Sequence, residues 1–96
     1  MKVNWTEAAR AQLRDIHTLI ARSSPHYATR MVDRLTRRSQ QIATFPRSGR
    51  IVVEANDVNV REVLEGPYRV IYHLLGDEVD VIAVVLGSRE WPDESS

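Results

Sequence analysis

The 96-residue sequence contains no cysteine, balances 13 Lys and Arg against 13 Asp and Glu, and is 43% hydrophobic. That length suits one domain able to bury ~60 to 65% of the surface its unfolded chain exposes, and the lack of cysteine excludes disulfide staples and thiolate metal sites. No apolar run is long enough to span a bilayer, and Lys2 is followed by no hydrophobic region of the kind a secretory signal needs, so the expected compartment is the cytoplasm and no membrane association is expected.

Taken in order, Lys2 to Trp5 alternates and reads as a short strand with Val3 and Trp5 on one face. Thr6 is an N-cap and Glu7 complements the dipole of a helix that runs to about Arg22, its apolar stripe being Ala9, Leu13, Ile16 and Ile20. Ser24-Pro25 caps and opens a second helix, with Ala28, Met31, Val32, Leu35 and Ile42 on its apolar face and Arg30, Arg34, Arg37 and Arg38 crowding the other side. So short a connection makes the pair an antiparallel helical hairpin. Pro46 ends the second helix, because the residue before a proline avoids the α conformation.

Ile51 to Val53 is a short extended piece, residues 54–59 a polar loop, and Val60 to Leu64 a strand that turns at Glu65-Gly66-Pro67. Tyr68 to Arg89 is the most strongly patterned stretch, two Val- and Ile-rich runs split by Gly76-Asp77, hence a β-hairpin with a two-residue type II′ turn. In that register Leu75 faces Glu78, Tyr72 faces Val81, His73 faces Asp80 and Arg69 faces Val84. One face is then Tyr68, Val70, Tyr72, Leu74, Val79, Val81, Ala83 and Val85, a layer for burial under the helices. The other mixes Arg69, His73, Glu78 and Asp80 with Ile71, Ile82, Val84 and Leu86, and is either an ordinary solvated sheet face or a candidate contact surface. The fold class is therefore α+β, ordered β-α-α-β-β-β, with the helical hairpin on one face of a small, mainly antiparallel sheet. Residues 1–91 form its single domain and 92–96 an acidic tail.

The zero net charge conceals an asymmetry. Residues 1–50 hold ten cations against three acids, a balance of +7, whereas residues 51–96 hold three arginines against ten acids, −7. Such halves either attract each other or present charged surfaces to partners. The three histidines, His17, His26 and His73, show no metal-ligand spacing, and no phosphate loop, nucleophile elbow or H-E-x-x-H motif occurs, so neither metal nor cofactor is expected.

The segments Trp5 to Ile16 (WTEAARAQLRDI), Ile42 to Arg50 (IATFPRSGR), Val60 to Val63 (VREV), Tyr68 to Tyr72 (YRVIY) and Gly87 to Glu90 (GSRE) stand in an order and spacing that resembles the ParE branch of the RelE/ParE toxin family. The resemblance implies the toxin of a type II toxin–antitoxin system, held in a hetero-oligomer by a cognate, ParD-like antitoxin. RelE-like members cleave messenger RNA on the ribosome, whereas ParE-like members poison DNA gyrase. Arg69 matches a phosphate-contacting arginine of the nuclease branch and Arg89 a catalytic one, so the alternative, nuclease reading uses Arg61, Arg69, His73 and Arg89.

Departures from that branch favour the gyrase reading. Where the nucleases carry lysines ahead of the Tyr-Arg motif, this chain has Arg61, Glu62 and Glu65, and where they end on an aromatic or histidine, it ends Asp93-Glu94-Ser95-Ser96. Leu86, by contrast, departs from the ParE-like pattern, standing where many such chains have a histidine before G-S-R and leaving that role unsupplied. A sheet half at −7 is also poorly suited to nucleic acid. The expectation is a non-nucleolytic toxin, with Arg61, Arg69, His73, Arg89 and Trp91 as target contacts. Arg10, Arg14, Arg30, Arg34, Arg37, Arg38, Ile71, Ile82 and Val84 are the antitoxin-binding candidates. A degenerate member that binds antitoxin but has no cellular target is the third reading.

Overall fold

A computed structural model of the chain describes residues 1–87. Strand β1 (Lys2–Trp5) leads into helix α1 (Glu7–Ala21), then α2 (Pro25–Thr44), β2 (Arg50–Ile51), a 3₁₀ turn at Val53–Ala55, β3 (Val60–Glu65), β4 (Tyr68–Leu75) and β5 (Glu78–Leu86). The helix starts follow the capping chemistry. Thr6 Oγ1 accepts from the Ala9 N–H and Ser24 Oγ from the Tyr27 N–H, both at 3.1 Å, and Pro25 begins α2. The short extended piece expected at Ile51 is the two-residue β2, prolonged by a bond from the Val52 N–H to the Val60 carbonyl.

The strands form one mixed sheet in the order β1-β5-β4-β3-β2, antiparallel except for the parallel β1–β5 pair. Both helices lie on one face. Met31, Leu35 and Ile42 of α2 and Ile16 of α1 close over Val70, Tyr72, Val79 and Val81 in a continuous core. At about 25 cal/mol per Å² of apolar surface removed from water, that layer is the main stabilising element of the fold.

The hairpin turns at Gly76-Asp77 as expected; Gly76 has φ +60° while Asp77 does not enter the left-handed region, the combination a type II′ turn requires. Its register departs from the expected one halfway along. Tyr72 pairs with Val81 but Ile71 pairs with Ala83, so Ile82 is an extra residue, a β-bulge, and Arg69 faces Val85 rather than Val84. One inserted residue exchanges the faces of everything beyond it. Val84 joins the helix-side core, while Ala83 moves to the opposite face beside Ile71, Val52 and Val60, with Val85 packed against that group. The face expected to be mixed and solvated thus carries a second small core, covered by the β2 segment, in which Ile71 is fully buried.

Candidate functional site

Alternation along β3 decides where its charged residues go. Arg61 pairs with Tyr72 and shares its helix-side face, as does Glu65, whereas Glu62 pairs with Ile71 and sits on the opposite face with Arg69. Arg61 therefore does not join Arg69, contrary to the expected grouping of arginines on one surface. Its Nη1 reaches back to donate to the carbonyls of Arg47 (3.0 Å) and Gly49 (3.1 Å), fastening the α2–β2 connection to the sheet.

Tyr72 fastens the same connection. Its hydroxyl donates to the Pro46 carbonyl at 2.7 Å and accepts from the Gly49 N–H at 3.1 Å. Burial pushes the Tyr72 phenol up, opposed by the Gly49 N–H and by the nearby Arg61 and Arg38, so the hydroxyl keeps the proton it donates. Gly49 has no room for a side chain: a Cβ there would collide with Tyr72 Oη and lie 2.8 Å from the Glu62 carbonyl oxygen.

On the face away from the helices, the Glu62 carboxylate is held at both oxygens. Arg69 Nε donates to Oε1 and Arg50 Nη2 to Oε2, each at 2.6 Å. Glu62 and Arg69 are both buried, while Arg50 lies at the rim. This cluster floors an open groove of about 590 Å³, walled by Ile51, Val53 and Leu64 and by the Gly66-Pro67 turn. Further along the same face His73 Nε2 stands 3.3 Å from Asp57, tying β4 to the loop before β3. No group of three or more metal-ligating side chains occurs among the described residues. Arg89 and Trp91 lie outside those residues.

The helix arginines divide into two sets. Arg34 donates to Glu65 through Nε (3.0 Å) and Nη2 (2.7 Å), and Arg38 donates to the Leu64 carbonyl (3.2 Å) with Glu65 4.0 Å away. These two are where the basic and acidic halves meet. Arg10, Arg14, Arg30 and Arg37 remain exposed. Of the apolar antitoxin-binding candidates, Ile82 is half-buried, but Ile71 and Val84 are core residues whose side chains are covered. The bulge and the β2 cover are the reasons, and neither leaves a mark in the hairpin's own sequence. Arg50, Glu62 and Asp57 were not anticipated as site residues; alternation along β3 from the Gly66-Pro67 turn would have placed Glu62 on the face of Arg69.

With this geometry in view, the family model described as the ParE toxin of the type II toxin–antitoxin system, parDE, matches residues 3–91. The chain belongs to the ParE toxin family. A solved chain from the chromosomal ParDE system of P. aeruginosa shares the fold with a TM-score of 0.75 at 21% identity, over 90% of this chain and 95% of that one. A search of curated proteins gave no match. In this ParE-family chain, then, Arg69 is buried and bonded to Glu62.

Proposed function

We propose that the protein is a ParE-type toxin that inhibits DNA gyrase by protein–protein contact, arrests growth in the cytoplasm, and is neutralised in a hetero-oligomer with a ParD-like antitoxin. The observation that carries this reading is the bond from Arg69 to Glu62 at 2.6 Å within a buried pair, with Arg50 on the second carboxylate oxygen. A nuclease site needs guanidinium groups turned toward phosphate. Here a carboxylate stands against two of them, and Arg61 lies on the opposite face of the sheet. His73 is beside Asp57, which suits a tether between loop and strand better than a proton-transfer group facing RNA.

The solved relative belongs to a ParDE toxin–antitoxin system, which supports an antitoxin as partner. The exposed Arg10, Arg14, Arg30 and Arg37 suit acidic residues of an antitoxin segment that folds as it binds. The test is to add the purified chain to gyrase and relaxed plasmid, and in parallel to translating ribosomes. Supercoiling stalls while ribosome-bound message stays intact; codon-dependent cleavage with normal supercoiling overturns the reading.

A further inference from the structure

The short edge strand β2 and its surroundings carry apolar side chains that neither core uses. Val52 is buried in the second core with its N–H on the Val60 carbonyl, while its neighbours Ile51 and Val53 are 44% and 81% exposed. Leu64, paired with Arg69 on β4, is 53% exposed and lines the same groove of about 590 Å³. Apolar residues scattered singly over a surface need no explanation, but three around one open groove form a patch of the kind that contacts use.

The charged part of the lining says what such a contact would take. Glu62 and Arg69 are both buried and bonded to each other, so their charges cancel within the floor. Arg50 gives one N–H to Glu62 Oε2 with its side chain 68% exposed, and Glu54 is exposed as well. Those two are the charges a partner meets. One cation and one acid beside apolar walls do not suit a run of phosphates, whose hold rests on several cations together. They suit a protein segment that offers an apolar side chain, a carboxylate for Arg50 and a Lys or Arg for Glu54. Arg50 is also held ready: it pairs with Glu62 on β3, and Arg61 bonds the carbonyls of Arg47 and Gly49 just before it.

We propose that this groove is where the toxin meets gyrase, through a protein segment of that chemistry. The proposal deepens the gyrase reading above and rests on it. Arg10, Arg14, Arg30 and Arg37 stand on the helices, which pack on the other face of the sheet, so contact with antitoxin and contact with target are separable by substitution.

The test uses the full chain with gyrase and relaxed plasmid, and separately with the antitoxin encoded beside it. Val53→Lys combined with Leu64→Lys raises the concentration needed to stall supercoiling by about 30-fold or more, the loss typical of a contact hot spot, while antitoxin affinity stays within about threefold. Leu19→Lys, at a position 59% exposed on α1, stalls supercoiling as the natural chain does. Because the chain has no cysteine, Val53→Cys gives a single site for a maleimide photocrosslinker, which joins the toxin to a gyrase subunit. If the natural chain stalls supercoiling but the double variant loses nothing, or the crosslink misses gyrase, the proposal is overturned and the gyrase reading stands. Crosslinks to the plasmid or to a second toxin chain in place of gyrase overturn it equally. Loss of antitoxin together with gyrase means that the double variant is unfolded, and the crosslink then decides alone. A natural chain without effect on supercoiling overturns both.

Discussion

Strand β3 carries two glutamates three residues apart, each bracketed by two arginines, yet the clusters differ in kind. Glu62 sits between Arg69 and Arg50 on the face away from the helices, with Glu62 and Arg69 side chains 8% and 10% exposed. Glu65 sits between Arg34 and Arg38 on the helix side, with the three side chains 22%, 37% and 30% exposed. The same charges therefore act through different terms. The first is a desolvated pair whose members cannot be left alone; the second is a solvated clasp between the oppositely charged halves of the chain.

Substitution breaks this comparison open most sharply at Glu62. Glu62→Gln removes the charge from the buried carboxylate that Arg69 and Arg50 both hold and costs about 3 kcal/mol in denaturant unfolding followed by circular dichroism. Of similar size is Gly49→Ala, which drives a methyl group into Tyr72 Oη and the Glu62 backbone beneath the first cluster and costs about 3 kcal/mol in the same measurement. Tyr72→Phe removes the hydroxyl from Pro46 and Gly49 and costs about 1 to 2 kcal/mol. Glu65→Gln is the smallest, at about 1 kcal/mol or less, and its effect shrinks as salt is raised from 0.05 to ~0.5 M, while that of Glu62→Gln changes little. Equal costs for the two glutamates would erase the distinction.

Tyr72 also gives a pH signature with a definite sign. Its folded hydroxyl titrates above the ordinary 10.0, so in rising pH the unfolded chain loses its phenolic proton first. The stabilisation is complete below that value and is lost as pH climbs through the folded one. Tyr72→Phe should therefore flatten the alkaline fall in stability, leaving the part due to Tyr68, which burial also raises.

Much of the fold was legible without coordinates because its signals are local. Thr6, Ser24-Pro25 and Pro46 act on backbone groups within one turn of themselves, so both helices start and stop where those residues stand. The Gly76-Asp77 turn fixes its four nearest strand pairs for the same reason. Charge counting left attraction between the halves as one of two readings, and Arg34 with Glu65 is such a contact.

What needed the tertiary structure is everything governed by pairing between distant strands. The bulge at Ile82 turned Val84 inward and Ala83 outward, and no residue near it announces an inserted position. Cover by β2 made Ile71 a core residue, although it stands in a strand that reads as half solvated. Arg61 and Arg69 look like neighbours in a list of cations, but they sit on opposite sides of the sheet because an odd step along β3 separates Arg61 from Glu62. Sequence by itself thus determined which segments are helix and strand, through capping, turns and periodicity that act over a few residues. Only the assembled sheet decided which faces those strands present, because one residue of register, set by partners far away in the chain, reverses every side chain beyond it.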